Sequence, residues 1–349
     1  MDQLRAWFAT YDTDLERVRR FWQGEGRVLV SLSPTAHAYR QCFDDDRILQ
    51  AAPRFLQAQA QLPGTNLPSF YPDWGTISTA RYWGGEPRFD STGGNIFVDP
   101  VAQTLDEALA LTPLPVDHPA MDGARALRLW RELSARLATR ALWLRSPDMQ
   151  GTLNTAGLVL NQEELWMAMY SEPAKVHAFL EQVCDFLIRY ARYLREETGD
   201  LLCGNIWPYT FLPAEFGISL TEDMMPLMSA KLYKTFGIPY LQALGEALGG
   251  LHIHCCGDWG RHAQNLKAAN LPIRAVEFHY PFTTIEELAP LAGETVFIPY
   301  IMLEQQNRFA GALAYYRYLL TETSEEIRYW FALGDDGPEA RAFAAELEK

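Results

Sequence analysis

The sequence predicts an α/β protein built as a single (β/α)8 TIM-type barrel over residues 1–349, with residues 1–26 as an N-terminal helical extension. Three observations predict it. Short apolar segments with strand character alternate with longer segments of helical period. From residue 251 the alternation becomes regular, which implies parallel strands joined by right-handed crossovers. No Gly-x-Gly-x-x-Gly turn supports the alternative, an open doubly wound sheet of the dinucleotide-binding type.

Arg27–Ser31 (Arg-Val-Leu-Val-Ser) reads as a buried strand, and Pro68–Trp74 as a second that ends at Asp73. A Gly- and Pro-containing region of less regular pattern runs from about 75 to 118. Leu127–Ala138 has helical period and Ala141–Arg145 strand character. Helical period returns over Glu163–Tyr170 and Pro173–Glu197, followed by a strand at Asp200–Ile206. Met225–Leu248 is expected to be a helix around Pro226 and Pro239, ending in Gly249 and Gly250. The regular part follows: strand 251–255 and helix 259–269, strand 273–278 and helix 284–291, strand 295–299 and a helix near 311–322, strand 327–332 and helix 337–348.

Bulk properties narrow the function. With 48% hydrophobic residues the chain can bury a large core. A formal charge of -14 argues against nucleic acid, whose phosphates need clustered Lys and Arg. Five cysteines without framework spacing suit a reducing compartment. No signal-peptide segment or transmembrane-length apolar run is present, so a soluble cytoplasmic protein is expected.

Chemistry in a barrel gathers at the C-terminal ends of the strands, which nominates Asp73, Asn205, Trp207, His254, Cys256, His279, Tyr300 and Asp335. The most informative stretch is Leu251-His-Ile-His-Cys-Cys-Gly-Asp-Trp-Gly260. On a strand, residues two apart share a face, so His252, His254 and Cys256 have one parity and Ile253 and Cys255 the other. Imidazole and thiolate are zinc ligands. A buried core strand with inert cysteines is the alternative. Glu222 and Asp223 are either helix caps or pocket carboxylates. His279 shares parity with Glu277, which can pair with it. Trp207, Tyr209 and Tyr280 form either an aromatic wall or plain packing. Asp73 orients a ligand or caps a turn, and Asp258 supports a metal ligand or caps a helix. Cys42, Cys184 and Cys203 read as structural.

These residues resemble the uroporphyrinogen decarboxylase superfamily, which includes zinc-dependent methyltransferases that move methyl groups between corrinoid proteins and thiols. The resemblance is clearest over Gly217–Gly257, from Gly-Ile-Ser-Leu-Thr-Glu-Asp-Met-Met to His-Cys-Cys-Gly-Asp. It extends to Gly151–Tyr170, to Glu172–Tyr190 and to Phe331-Ala-Leu-Gly-Asp-Asp, covering about 28–349 in all. The decarboxylase branch would bind a polycarboxylate through arginines after its first strand. Only Arg40 stands there, and the family's closing His is replaced by Asp335. The methyltransferase branch holds zinc by a His-x-Cys pair and a later Cys. His254 and Cys256 match the pair, and no Cys follows Cys256. Asp335 is the candidate for the vacant ligand position, with Asp336, Glu222 and His252 as rivals.

The resemblance thus implies a zinc-dependent methyltransferase, a monomer or homodimer, that works with a corrinoid carried by a separate protein and a small-molecule substrate, a thiol or related acceptor. Its metal ligands would be His254, Cys256 and Asp335. Glu222, His279 and Asp73 would be catalytic, and Asn205, Trp207 and Tyr300 would hold the cofactor. The alternatives are a decarboxylase or lyase acting on a small carboxylated substrate, and a non-catalytic ligand-binding homologue.

Overall fold

A computed structural model describes residues 2–33, 42–90, 95–204, 210–305, 308–334 and 337–347. The strands, in chain order, are β1 (Val28–Leu32), β2 (Ser69–Phe70), β3 (Arg88–Phe89), β4 (Ile96–Phe97), β5 (Trp143–Arg145), β6 (Leu202–Gly204), β7 (Leu212–Pro213), β8 (Ile218–Thr221), β9 (Leu251–Cys255), β10 (Ile273–Tyr280), β11 (Val296–Ile301) and β12 (Arg328–Leu333). Six of them form one sheet in the order β1-β12-β11-β10-β9-β8, parallel throughout. A second sheet has the order β2-β5-β6-β7, parallel except for β7, and β3 and β4 make a small hairpin.

Among the described residues no ladder joins the two sheets into the closed ring of eight strands that the sequence predicts. They approach at both margins. Thr65 N donates to the Val30 carbonyl at 2.7 Å on one side, and Gln150 and Thr221 form an isolated parallel bridge on the other.

Alternate residues of the six-stranded sheet face two different cores, as the pleat requires. Ile253, Cys255, Val276, Phe278, Phe297, Tyr329 and Phe331 pack outward into the helix layer. Leu29, Ala275, Val296, Ile298, Trp330 and Ala332 face inward, where Trp143, Cys203 and Leu212 of the second sheet meet them. Burial on both faces explains why these strands read as nearly continuous apolar runs.

The predicted N-terminal helical segment contains helices at Asp2–Thr10 and Asp12–Trp22. The second closes the inner core from the strands' N-terminal end. Trp22 stacks on Trp330 with ring centroids 5.6 Å apart, and its indole N–H donates to the Phe211 carbonyl at 2.8 Å. The inner space is therefore plugged at the floor, and polar chemistry is left to the opposite end. No described helix is long and apolar enough to cross a membrane.

The four β–α units after residue 251 lie close to their expected positions. Earlier elements differ for local reasons. The expected strand Pro68–Trp74 is reduced to Ser69–Phe70, because Pro68 and Pro72 cannot donate to a ladder and Asp73 Oδ1 accepts from Gly75 N at 2.9 Å, turning the chain. The expected helix Met225–Leu248 is three pieces: a 3-10 turn at Met225–Leu227, a helix at Ala230–Phe236 capped by Ser229, and a helix at Ile238–Leu248. Pro226 and Pro239 each stand in the first turn of a new piece, the place where a missing N–H costs nothing. The helices Asp45–Gln59 and Thr152–Val159 and the strand β8 are additions to the predicted set.

Candidate active site

Strand register assembles the site. Thr221 of β8 lies opposite His254 of β9, and His254 lies opposite Glu277 of β10. One step further along, His279 lies opposite Tyr300 of β11. These side chains belong to the inward-facing parity, at the C-terminal ends of their strands.

Glu277 is completely buried and sits between two imidazoles. His254 Nδ1 is in contact with Glu277 Oε2, and His279 Nε2 lies 2.8 Å from Glu277 Oε1. The two imidazoles meet edge to face with centroids 5.5 Å apart, and Tyr300 lies against His279 at 4.7 Å. Both contacts are ion pairs, and among the described residues neither has the alignment of a hydrogen bond. Donor atoms crowded around one buried carboxylate are what a shared cation, proton or metal, would satisfy.

The electrostatics agree. Burial by itself would lower the His254 pKa, but Glu277, Cys256 and Asp223 overcome it and hold the value well above the ordinary 6.5. Burial would raise Glu277, and the imidazoles of His254 and His279 instead bring it down to about 2. A metal ion would replace the proton on the same donors.

The other edge of His254 faces a second set of donors. Its Nε2 is 3.8 Å from Asp223 Oδ1, which also accepts from the backbone N–H of Cys256 at 3.1 Å. One donor atom each from Asp223, His254 and Cys256 fall within 4.8 Å of one another, as do those of His254, Glu277 and His279. Ligands at about 2.0–2.3 Å from a common zinc ion span a comparable distance. Cys256 is exposed, whereas Cys255 is buried on the helix-facing side.

Other nominated residues are distributed less simply. Glu222 has the outward parity of β8 and does not join either donor group. It is buried, accepts from Tyr233 Oη at 3.2 Å, and is pushed by desolvation to about 8. Its backbone N–H donates to the His254 carbonyl at 2.8 Å, which fixes the β8–β9 register just beside the site. His252 has the inward parity but lies one step deeper; its Nδ1 is 3.1 Å from Ser219 Oγ, and burial lowers it to about 3. Asp73 is buried in the turn three residues beyond β2, caps that turn and acts on Asp148.

Tyr280 belongs to the helix-facing side, with its ring 4.9 Å from Tyr315, so it is not part of an aromatic wall. Asp258 pairs with Arg261 at 3.5 Å near the surface. Cys184 and Cys203 are buried and belong to neither donor group. Arg40, Asn205, Trp207, Tyr209, Asp335 and Asp336 lie outside the described residues.

Of the residues gathered here only Asp148 escapes a reading of the sequence, which leaves Asp223 open as a pocket carboxylate and offers Glu277 as a partner of His279. Asp223 reaches the site because the Thr221–His254 register carries it to Cys256. Glu277 is legible through its parity with His279. Asp148, raised to about 6 by desolvation and by Asp73 and Asp223 and lowered by His254, follows β5 in a loop of no recognisable pattern. A 710 Å³ surface cleft bounded by Asp12, Glu16, Arg20, Glu25 and Val28 lies at the N-terminal edge of β1, away from all of these groups.

No protein-family model matches the chain, and no curated protein sequence matches it. Its fold is shared with solved structures. It is similar to a methyltransferase from Methanosarcina mazei, with 11% identity, 94% of this chain and 96% of that one covered, and a TM-score of 0.63. A more distant similarity, TM-score 0.45 and 11% identity over 86% of this chain and 84% of the other, links it to a structure described as a vitamin-B12-independent methionine synthase from Listeria monocytogenes. The first likeness establishes an α/β architecture common to the two chains.

Proposed function

We propose that the protein is a zinc-dependent methyltransferase that moves a methyl group between a corrinoid carried by a separate protein and a small thiol or related acceptor. The single observation that carries this reading is His254, whose two ring nitrogens face two sets of donors at the C-terminal ends of adjacent strands. The shared architecture with a methyltransferase supports it as an analogy of fold. We read the six-stranded sheet and the parallel strands β2, β5 and β6 as arcs of one (β/α)8-type barrel.

His254 Nε2, the Cys256 thiolate and an Asp223 oxygen would hold the metal, with Asp335 as a further donor. Nitrogen, sulfur and oxygen together form a set that zinc accepts. Bound zinc would lower the pKa of an acceptor thiol or hydroxyl and stabilise its anion. Glu277 would hold the Nδ1–H tautomer of His254, with the proton kept on Nδ1 and directed at the carboxylate, which leaves the Nε2 lone pair for the metal and fixes the ring plane. His279 shares Glu277 from the other side, and Tyr300 packs against His279, so neither ring turns freely. Asp73 and Asp148 would face the bound small molecule, and Asn205 and Trp207 are proposed to hold the cofactor. Glu222 would act as a positioning residue through its bond to the His254 carbonyl.

The test is zinc analysis of the purified full chain, combined with transfer of the methyl group of methylcobalamin to 2-mercaptoethanol. One zinc per chain and thiol-dependent demethylation, both lost in His254→Ala, are expected. Full zinc occupancy in His254→Ala and Cys256→Ala would overturn the metal assignment. A zinc-loaded protein with no demethylation activity would overturn the methyl-transfer assignment.

A further inference from the structure

Arg145 closes β5 and has the inward parity, because Trp143, two residues earlier, packs in the inner core. It is only 5% exposed. Its Nε donates to Ser69 Oγ at 2.9 Å and its Nη1 to the Thr210 carbonyl at 2.6 Å, while the guanidinium lies over Phe211. Among the described residues Nη2 has no hydrogen-bond partner and no carboxylate pairs with the group. Thr210 Oγ1 is buried without a partner among the described residues. Ser69 Oγ accepts from Arg145 and keeps its own proton free to donate.

The half-buried Arg81 pairs with Asp122, whereas Arg328, the other buried arginine, sits at the floor end of β12 and donates to the carbonyls of Gly26 and Phe21. A buried guanidinium without an anion is costly. Asp148 lies three residues further on and accepts instead from Gln150 Nε2 at 2.5 Å.

Arg145 also shares a wall with the metal donors. It lies opposite Cys203, and the next residue, Gly204, is pressed against Ser219, where a Cβ would come within 2.2 Å of Ser219 Oγ. Ser219 contacts His252, two residues before His254 on the same face.

We propose that Arg145, with the hydroxyls of Ser69 and Thr210, is a subsite for a carboxylate of the small molecule whose reacting atom lies at His254. The proposal rests on reading the inner space as the substrate site, but it does not require the metal. One guanidinium and two hydroxyls match a monoanion.

The test uses the full-length protein and three probes: 3-mercaptopropionate, 2-mercaptoethanol and propionate, with binding measured by calorimetry. Wild type should bind 3-mercaptopropionate about tenfold or more tightly than 2-mercaptoethanol. Arg145→Gln should reduce that preference to within about twofold, and Arg145→Lys should keep part of it, with zinc content unchanged in both. Propionate should still bind to His254→Ala and be lost in Arg145→Gln. A metal assignment that fails therefore leaves the propionate result readable. Equal affinity of wild type for the charged and neutral thiols, which needs no variant to fold, would overturn the subsite. So would propionate binding that depends on His254 and not on Arg145.

Discussion

Glu277 Oε1 lies 2.8 Å from His279 Nε2, two residues along the same strand, while its other oxygen meets His254 on the neighbouring strand. One fully buried carboxylate thus holds two imidazoles at the open end of the inner core. Its removal should be felt in metal binding before anything else. Glu277→Gln is expected to weaken zinc by about 10–100-fold, because the outer carboxylate sets the tautomer and basicity of a ligating His. Competition with a chelating dye reads this directly. Unchanged zinc affinity would show that Glu277 does not support a ligand.

Cys255 and Cys256 are neighbours in sequence that face opposite sides of β9 and its extension. Cobalt(II)-substituted protein should show a thiolate-to-metal charge-transfer band. Cys256→Ser should abolish the band and Cys255→Ser should leave it. The reverse result would move the metal to a site that the strand parity forbids.

Gly151 stands where a Cβ would come within 1.8 Å of Glu222 Oε1. Gly151→Ala should therefore destabilise the fold by about 1–3 kcal/mol, the usual cost of overpacking. The cost should shrink in a Glu222→Ala background, where the clashing atom is gone. A double-mutant cycle by urea unfolding measures the coupling, and strict additivity would refute it.

Glu222 also gives a pH dependence with a definite sign. Desolvation raises its pKa from the ordinary 4.5 to about 8, so the folded protein holds a proton that the unfolded chain releases. Its contribution to stability is complete below about 4.5 and is lost as pH rises through about 8. Glu222→Gln, which stays neutral, should flatten the fall in stability between pH 5 and 8. An identical slope in wild type and variant would show that the carboxyl is ionised in the fold.

Local pattern carried the second half of the chain. Each strand from Leu251 onward is bounded by residues that stop it locally, and burial on both faces makes each an apolar run. The same logic faltered around Pro226 and Pro239, where helical period persists but the backbone restarts at each proline. It passed over β8 altogether, because Ile-Ser-Leu-Thr is short and half polar.

The sequence by itself determined which side chains share a face: His252 with His254, Glu277 with His279, and Cys255 apart from Cys256. That follows from the two-residue repeat of an extended chain, a local property. Only the tertiary structure decided that Thr221, His254 and Glu277 form one row, that Asp223 meets Cys256, and that Arg145 is buried with no acid paired to it among the described residues. Those relations depend on the register between strands distant in sequence, which is fixed by packing of the whole core rather than by any one segment.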